Sequence, residues 1–255
     1  MNLLAIDIGN TSISYGWFRN EVLKRVWYGK SSLIPKIIAY LSKNGGNLSN
    51  YKVIISSVNP LKLAEIKKLT VRKIPLRNHL ILGKEIMPNI RHKYNNINRL
   101  GKDRFTNIYG ASSYPKPLLI INFGTAMTVD YLSKGGVYEG GMIIAGIETA
   151  WYGLQDRAAL LPKIKGITDY KGLIGRSTEG CMRAGILQGF GAMVDGLIER
   201  FRSEYGRSLY VLASGGLAKK IRPYIKSKIK VDQTHTLRSL ALIYKNYSKK
   251  NDVQT

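Results

Sequence analysis

The sequence predicts an α/β protein of two similar α/β domains around a central cleft, and three observations carry that reading. Leu3–Gly16, LLAIDIGNTSISYG, reads as a buried strand, a turn and the start of a second strand. Leu118–Asp130, LLIINFGTAMTVD, repeats it at a constant offset of 115 positions (122 − 7), aligning the Leu-Leu pairs, Asp7 with Asn122 and Gly9 with Gly124. A third glycine turn, Ala213-Ser214-Gly215-Gly216, follows the apolar run Leu209–Leu212. A unit that recurs in each half suggests two similar domains, here 1–115 and 116–255. Three turns that end buried strands suit one nucleotide, two at its phosphates and one at its nucleoside.

The chemistry of the first turn supports this. Gly9 has no Cβ to keep the main chain from phosphate oxygens, and neighbouring N–H groups can point at an anion. Asp7 can reach a magnesium ion directly or through water. An Asp-x-Gly turn alone is also ordinary hairpin chemistry. The second copy sets this one apart.

The remaining elements follow in order. Glu21–Tyr28 alternates as a third strand of the meander. Ser31–Asn44 carries Leu33, Ile34, Ile37, Ile38 and Leu41 at helical spacing and ends in Gly45-Gly46. Lys52–Ile55 is a short buried strand running into Ser56-Ser57-Val58-Asn59-Pro60, with a helix over Leu61–Leu69 and short apolar pieces at Val71–Leu76 and Leu80–Ile81. This alternation is that of a layered α/β domain.

Asn89–Arg104 is polar and asparagine-rich, a surface loop, and leads into a helix beginning near Asp103. Asp103 is either a charge favoured by the helix dipole or a general base, with Gly101 leaving room for a substrate and Arg104 beside it as an anion contact. In the second half Gly135–Ile144 holds a strand, and Glu148–Leu161 is helical in spacing and closed by Pro162. Ser177-Thr178 precedes a long helix over Glu179–Tyr205, with Thr178 as its cap. Gly185, Gly189 and Gly196 each cost that helix about 1 kcal/mol relative to alanine, which implies close packing, helix against helix across a dimer interface. Thr236–Tyr247 is a last amphipathic helix, and Ser248–Thr255 a frayed tail.

At 255 residues and 44% hydrophobic content there is material for a real core. No apolar run approaches the roughly 20 residues that span a bilayer, and the Met1 end lacks a secretory signal, so a cytoplasmic location without membrane contact is expected. The single cysteine, Cys181, has no partner for a disulfide and no ligand spacing around it, and a buried helix position is expected. His79, His92 and His235 also lack metal spacing, and Trp17, Trp27 and Trp151 read as core or interface residues. The net charge of +24, from 40 Lys+Arg against 16 Asp+Glu, favours anionic partners. Basic clusters such as Lys67-Lys68, Lys219-Lys220 and Lys249-Lys250 are short and not interleaved with stacking aromatics. A lysine-rich solvated surface is therefore expected, and nucleic acid is not the expected partner.

Taken together, the motifs resemble the type III pantothenate kinases, of the superfamily that also holds actin and the sugar kinases. The ordered set is Asp7-Ile8-Gly9-Asn10-Thr11, Ser56-Ser57-Val58 before Pro60, Tyr94, Gly101-Lys102-Asp103-Arg104, and Phe123-Gly124-Thr125-Ala126 with Thr128 and Asp130. It continues with Gly140-Gly141 and Ile143, Leu161-Pro162, Thr178 and Gly215-Gly216. The resemblance implies a duplicated ribonuclease-H-like fold, a homodimer, and ATP-dependent phosphorylation of pantothenate to 4′-phosphopantothenate, the first step toward coenzyme A. It makes Asp7, Ile8, Gly9, Asn10, Thr11, Ser12, Ile13 and Ser14 the first phosphate loop, with Asp7 on Mg2+. Thr125, Gly215 and Gly216 would contact ATP, and Asp103 would be the base. Tyr94, Gly101, Lys102, Asp103, Arg104 and Thr178 would line the pantothenate site, Thr178 from the partner subunit.

Three positions depart from the family pattern. Asn122 stands where the family usually has an aspartate that helps hold a monovalent cation, K+ or NH4+, so a weaker or absent potassium requirement is expected. Lys102 replaces a usually small residue, and Ala145 stands at a common proline. Two competing readings are a paralogue with the fold but altered activity, which Asn122 would permit, and a basic nucleic-acid-binding or regulatory protein, which +24 would permit.

Overall fold

The computed structural model describes residues 1–252, which fall into two compact units. The first comprises Met1–Ile90, Asn95–Ser112 and the chain from His235 onward; the second comprises Arg91–Tyr94 and Ser113–Thr234.

In the first unit β1 (Asn2–Ile8), β2 (Ile13–Arg19) and β3 (Val22–Gly29) form an antiparallel meander. Strand β4 (Tyr51–Ser57) runs parallel to β1, and β5 (His79–Ile81) parallel to β4, giving the order β3-β2-β1-β4-β5. The centre of this sheet is covered on both faces, which is why β1 reads as a continuous apolar run. Leu4, Ile6 and Ile8 pack with Ile34, Ile37, Ile38 and Leu41 of helix α1 (Ile34–Gly45) and with Ile66 of α2 (Pro60–Val71). Leu3 and Ala5 point to the other face by the two-residue alternation of a strand. There α3 (Lys102–Gly110) packs on the terminal helix, His235–Asp252, which itself packs on β1, β2 and β4. The approach is close: a Cβ on Gly110 would lie 1.7 Å from Ser239 Oγ.

The second unit repeats the scheme. Strands β6 (Leu118–Phe123), β7 (Ala126–Leu132) and β8 (Tyr138–Ala145) are antiparallel, and β9 (Tyr210–Ser214) and β10 (Lys230–Val231) continue in parallel from β6, in the order β10-β9-β6-β7-β8. Read from the other edge this is the order of the first sheet. The register agrees too: Asp7 pairs across to Ser14 and Ser56, and Asn122 to Thr128 and Ser214. The repeat at 115 positions is thus a repeat of topology, the duplicated α/β architecture expected. Helices α4 (Ile147–Arg157), α5 (Thr178–Tyr205) and the short α6 (Ala218–Ile221) complete this unit, and the terminal helix is α7.

Several expectations change. The compact units do not divide at residue 115, because Leu237, Leu240, Ile243 and Tyr244 of α7 are buried with the first unit's helices and strands. Helix α7 also continues past Tyr247 to Asp252, while 253–255, the end of the expected frayed tail, lie outside the described residues. The cap of α5 is Ser177, whose hydroxyl accepts from the Gly180 amide at 3.1 Å; Thr178 is the first helical residue and is exposed. Cys181 is exposed, since the buried stripe of α5 runs through Met182, Ala184, Leu187, Phe190, Gly191, Val194 and Ile198. Gly185, Gly189 and Gly196 have nothing within 4 Å of a would-be Cβ, so among the described residues no segment packs there. Helix α4 stops at Arg157, before Leu161, and Leu160 is almost wholly exposed. No helix among the described residues is long and apolar enough to cross a membrane.

Candidate active site

In the first unit β1 delivers Asp7 at its carboxyl end, directly before the turn. The Gly9 amide donates to Ser12 O at 3.1 Å, and a Cβ on Gly9 would lie 3.0 Å from that carbonyl, so this close turn is where glycine is required. Asn10, Thr11 and Ser12 are exposed, Gly9 and Ser14 partly so. The side chains of Ile8 and Ile13 are in the core, which leaves them only main-chain groups for a ligand, and Ile8 O is taken by the Val58 amide. Lys62 of α2, unmarked in the sequence, brings its ammonium to Asn10 O.

Asp7 is unusual. The residue keeps some exposed surface, yet its Oδ1 is enclosed and has no hydrogen-bond partner. The neighbouring Ser56 Oγ is enclosed and unbonded as well; it lies near enough to favour the carboxylate without forming a hydrogen bond of good geometry. Burial first, and the charge of Asp103 second, push the Asp7 carboxyl up to about 7, against the smaller opposing effect of Ser56.

Asp103 comes from the first turn of α3, whose N-cap is Gly101. A Cβ on Gly101 would lie 2.6 Å from Asp103 Oδ1. The glycine therefore makes room for the carboxylate of Asp103 itself. Arg104 is 6% exposed, its guanidinium carried largely inside. Lys102 donates to Asn98 O at 3.2 Å and lays its stem over Gly83, whose φ of +84° and lack of a Cβ permit that approach. A cavity of about 400 Å³ opens at the carboxyl ends of β4 and β5, lined by Ser57, Val58, Leu82, Lys67, Lys84 and Lys102 among others.

An enclosed carboxylate oxygen without a donor suits a cation. No cluster of three or more His, Cys, Asp or Glu side chains that could hold a metal ion is found among the described residues.

The second unit gathers its own candidates at the carboxyl ends of β6 and β9. Asn122 stands where Asp7 stands in the first, and Ser214, buried with an unbonded hydroxyl, where Ser56 stands. Gly215 has φ +92°, and a Cβ there would lie 2.5 Å from Phe123 O and 2.8 Å from Asn122 Oδ1. Gly216 is exposed, and its carbonyl accepts from Gln233. Thr125, exposed at the turn, is fastened by its carbonyl, which accepts from the Gly146 amide at 3.0 Å and Thr149 Oγ1 at 2.6 Å. Gly146 begins α4, and a Cβ there would lie 2.2 Å from Gly124 O. Gly146 and Thr149 escape a reading of the sequence because nothing local marks them. Tyr94 belongs to this unit and stacks on Tyr138.

The sequence model of the family described as type III pantothenate kinase matches residues 3–200. This chain belongs to that family. Among curated members, the type III pantothenate kinase of Listeria innocua is 32% identical over 95% of this chain and 96% of its own length. That of Moorella thermoacetica is 34% identical over 95% and 98%. Among solved structures, the activator of 2-hydroxyisocaproyl-CoA dehydratase from Clostridium difficile, with bound ADPNP, superposes with a TM-score of 0.59 at 14% identity, covering 100% of this chain and 98% of its own. At that identity the likeness shows the shared fold alone, the duplicated α/β architecture described above.

Proposed function

We propose that this protein carries out the reaction its family is named for, transfer of the γ-phosphoryl group of ATP to the 4′-hydroxyl of pantothenate, the first step of coenzyme A synthesis, in the cytoplasm. The observation that supports it best is Asp103 held over Gly101 at the start of α3, in the electrostatic field of the enclosed Asp7. Asp103 takes the proton of the hydroxyl as its oxygen attacks the γ-phosphorus, and the bond to the β-phosphate oxygen breaks to release ADP. Phosphoryl transfer demands positioning and charge stabilisation more than covalent help from the protein. Asp7 would hold magnesium, which supplies neutralisation of phosphate charge. The turn from Asp7 to Ser14 presents main-chain N–H groups to the phosphates, while Thr125, Gly215 and Gly216 contact ATP. Tyr94, Gly101, Lys102 and Arg104 bind pantothenate, and Thr178 does so from the partner of a homodimer. The open glycine face of α5 supports that dimer, with Leu173 and Ile174 exposed beside the start of the helix, where Gly175 packs on Cys181.

The test is Asp103→Asn in an assay for phosphopantothenate. Loss of a general base predicts a fall in turnover of about 10²–10⁴-fold with ATP affinity little changed, and unaltered turnover removes Asp103 from the reaction. Asn122 offers a carbonyl oxygen without negative charge, so turnover is expected to vary little with potassium concentration. A steep dependence would show that the neutral side chain suffices for the cation.

A further inference from the structure

Residues Arg91–Tyr94 group with the second unit, although the chain before and after them groups with the first. One residue accounts for most of that attachment. The Tyr138 amide donates to Arg91 O and the Lys93 amide donates to Tyr138 O, both at 2.9 Å, so that His92 and Tyr138 form a one-rung parallel bridge. Beside it Lys93 and Glu139 form an ion pair at 2.8 Å, and the Arg91 guanidinium donates to Gly135 O at 3.2 Å. The side chain of Tyr138 then meets Tyr94 directly, ring on ring, with centroids 5.7 Å apart and planes inclined by 29°. Tyr138 has no freedom to follow its neighbour: it is fully buried, and its hydroxyl donates to Asp130 Oδ1 at 2.9 Å, itself buried in β7.

We propose that Tyr138 is a positioning residue of the pantothenate site, a fixed platform that orients Tyr94. The proposal rests on the reading that Tyr94 binds pantothenate. An aromatic ring stacked on an immobile partner loses little conformational freedom when a ligand arrives, since its orientation is already set. The Asp130 hydrogen bond anchors the far end of the platform, and the bridge to Arg91 and Lys93 sets the depth at which Tyr94 leaves the sheet.

The experiment compares Tyr138→Phe, Tyr138→Leu, Glu139→Gln and Tyr94→Ala in steady-state kinetics with pantothenate and ATP varied separately. Phe keeps the platform and loses the anchor, Leu loses the ring, and Gln loosens the segment from a site outside the core. Displacement of a binding group by a fraction of an ångström to one ångström predicts a pantothenate KM raised about tenfold for Leu, with smaller rises for Phe and Gln, while KM for ATP stays unchanged in all three. General damage to the fold would move both KM values or kcat alone, and that result overturns the proposal. A pantothenate KM unchanged in the Tyr138 variants while Tyr94→Ala raises it also overturns it. A KM unmoved by Tyr94→Ala instead overturns the reading of Tyr94 on which the proposal stands. Should Tyr138→Leu fail to fold, Tyr138→Phe and Glu139→Gln decide, and an unchanged pantothenate KM in both refutes the platform.

Discussion

Asp7 couples ionisation to folding in a single side chain. Its carboxyl is held up to about 7, chiefly by burial and next by Asp103. An acid whose folded pKa lies above its unfolded value stabilises the fold most below the unfolded value, and that contribution is lost as pH rises through the folded one. Without magnesium, the stability due to Asp7 should therefore decline between about pH 4 and 7. Asp7→Asn should flatten this part of a plot of Tm against pH, and a parallel pair of curves would refute it. On the proposal that Asp7 holds magnesium, the same ionisation would govern cation binding, because a metal ion needs the carboxylate. Magnesium should raise Tm more at pH 8 than at pH 6 in the native chain. At this scale the placement of residues is legible where the pattern is local: Asp7 at a strand end, Gly9 in a close turn and Asp103 at a helix start all stand in short motifs. The sequence is silent where a partner is distant. Ser56 matters because it faces Asp7 across 49 positions (56 − 7), and no local pattern reports that.

Among the elements, the start of α4 bears hardest on the second glycine turn. Gly124 drew attention in the sequence as the mate of Gly9, yet the nearest atom to a Cβ on it would be 3.4 Å away, an ordinary contact. Gly146 tolerates no such addition, with Gly124 O at 2.2 Å and Thr125 O at 2.4 Å. Gly146→Ala is expected to cost about 1–3 kcal/mol through forced backbone movement, and Gly124→Ala much less; the denaturation midpoints of the two variants rank them. Equal midpoints would mean that the turn yields without cost. Helix α5 shows why burial was misread at Cys181. Partly buried Ile186, Met193 and Leu197 blur the edge of its apolar stripe, so a helical period alone does not say on which side a small residue falls. The strand order was legible in outline, because hairpins and runs of buried strand are local patterns. Strand β10, of two residues, carries no detectable pattern of its own.

For the whole molecule, the exposed line of Gly185, Gly189, Ala192 and Gly196 along α5 is the surface on which assembly is expected. Gly189→Arg should leave the monomer folded, since the added side chain enters open space, and should shift sedimentation from dimer to monomer. If Thr178 acts in trans, turnover falls with the dimer; a monomer of full activity would separate the two. The surplus of +24 belongs to the same scale. Spread over many lysines, it provides a long-range field that favours anionic substrates without specifying any of them. Domain limits are the least legible feature, because neighbourhood along the chain is not neighbourhood in space: α7 follows the second unit in sequence and packs with the first.

The placement of α7 bears on how the protein is made. The sheet of the first unit is complete once β5 has been synthesised, but the helix that covers one of its faces is made only after the whole of the second unit. Until then a nascent chain carries Leu3 and its neighbours uncovered, a natural client surface for chaperones. A frameshift or protease cut at or before α7 would therefore strike at the sheet that bears Asp7.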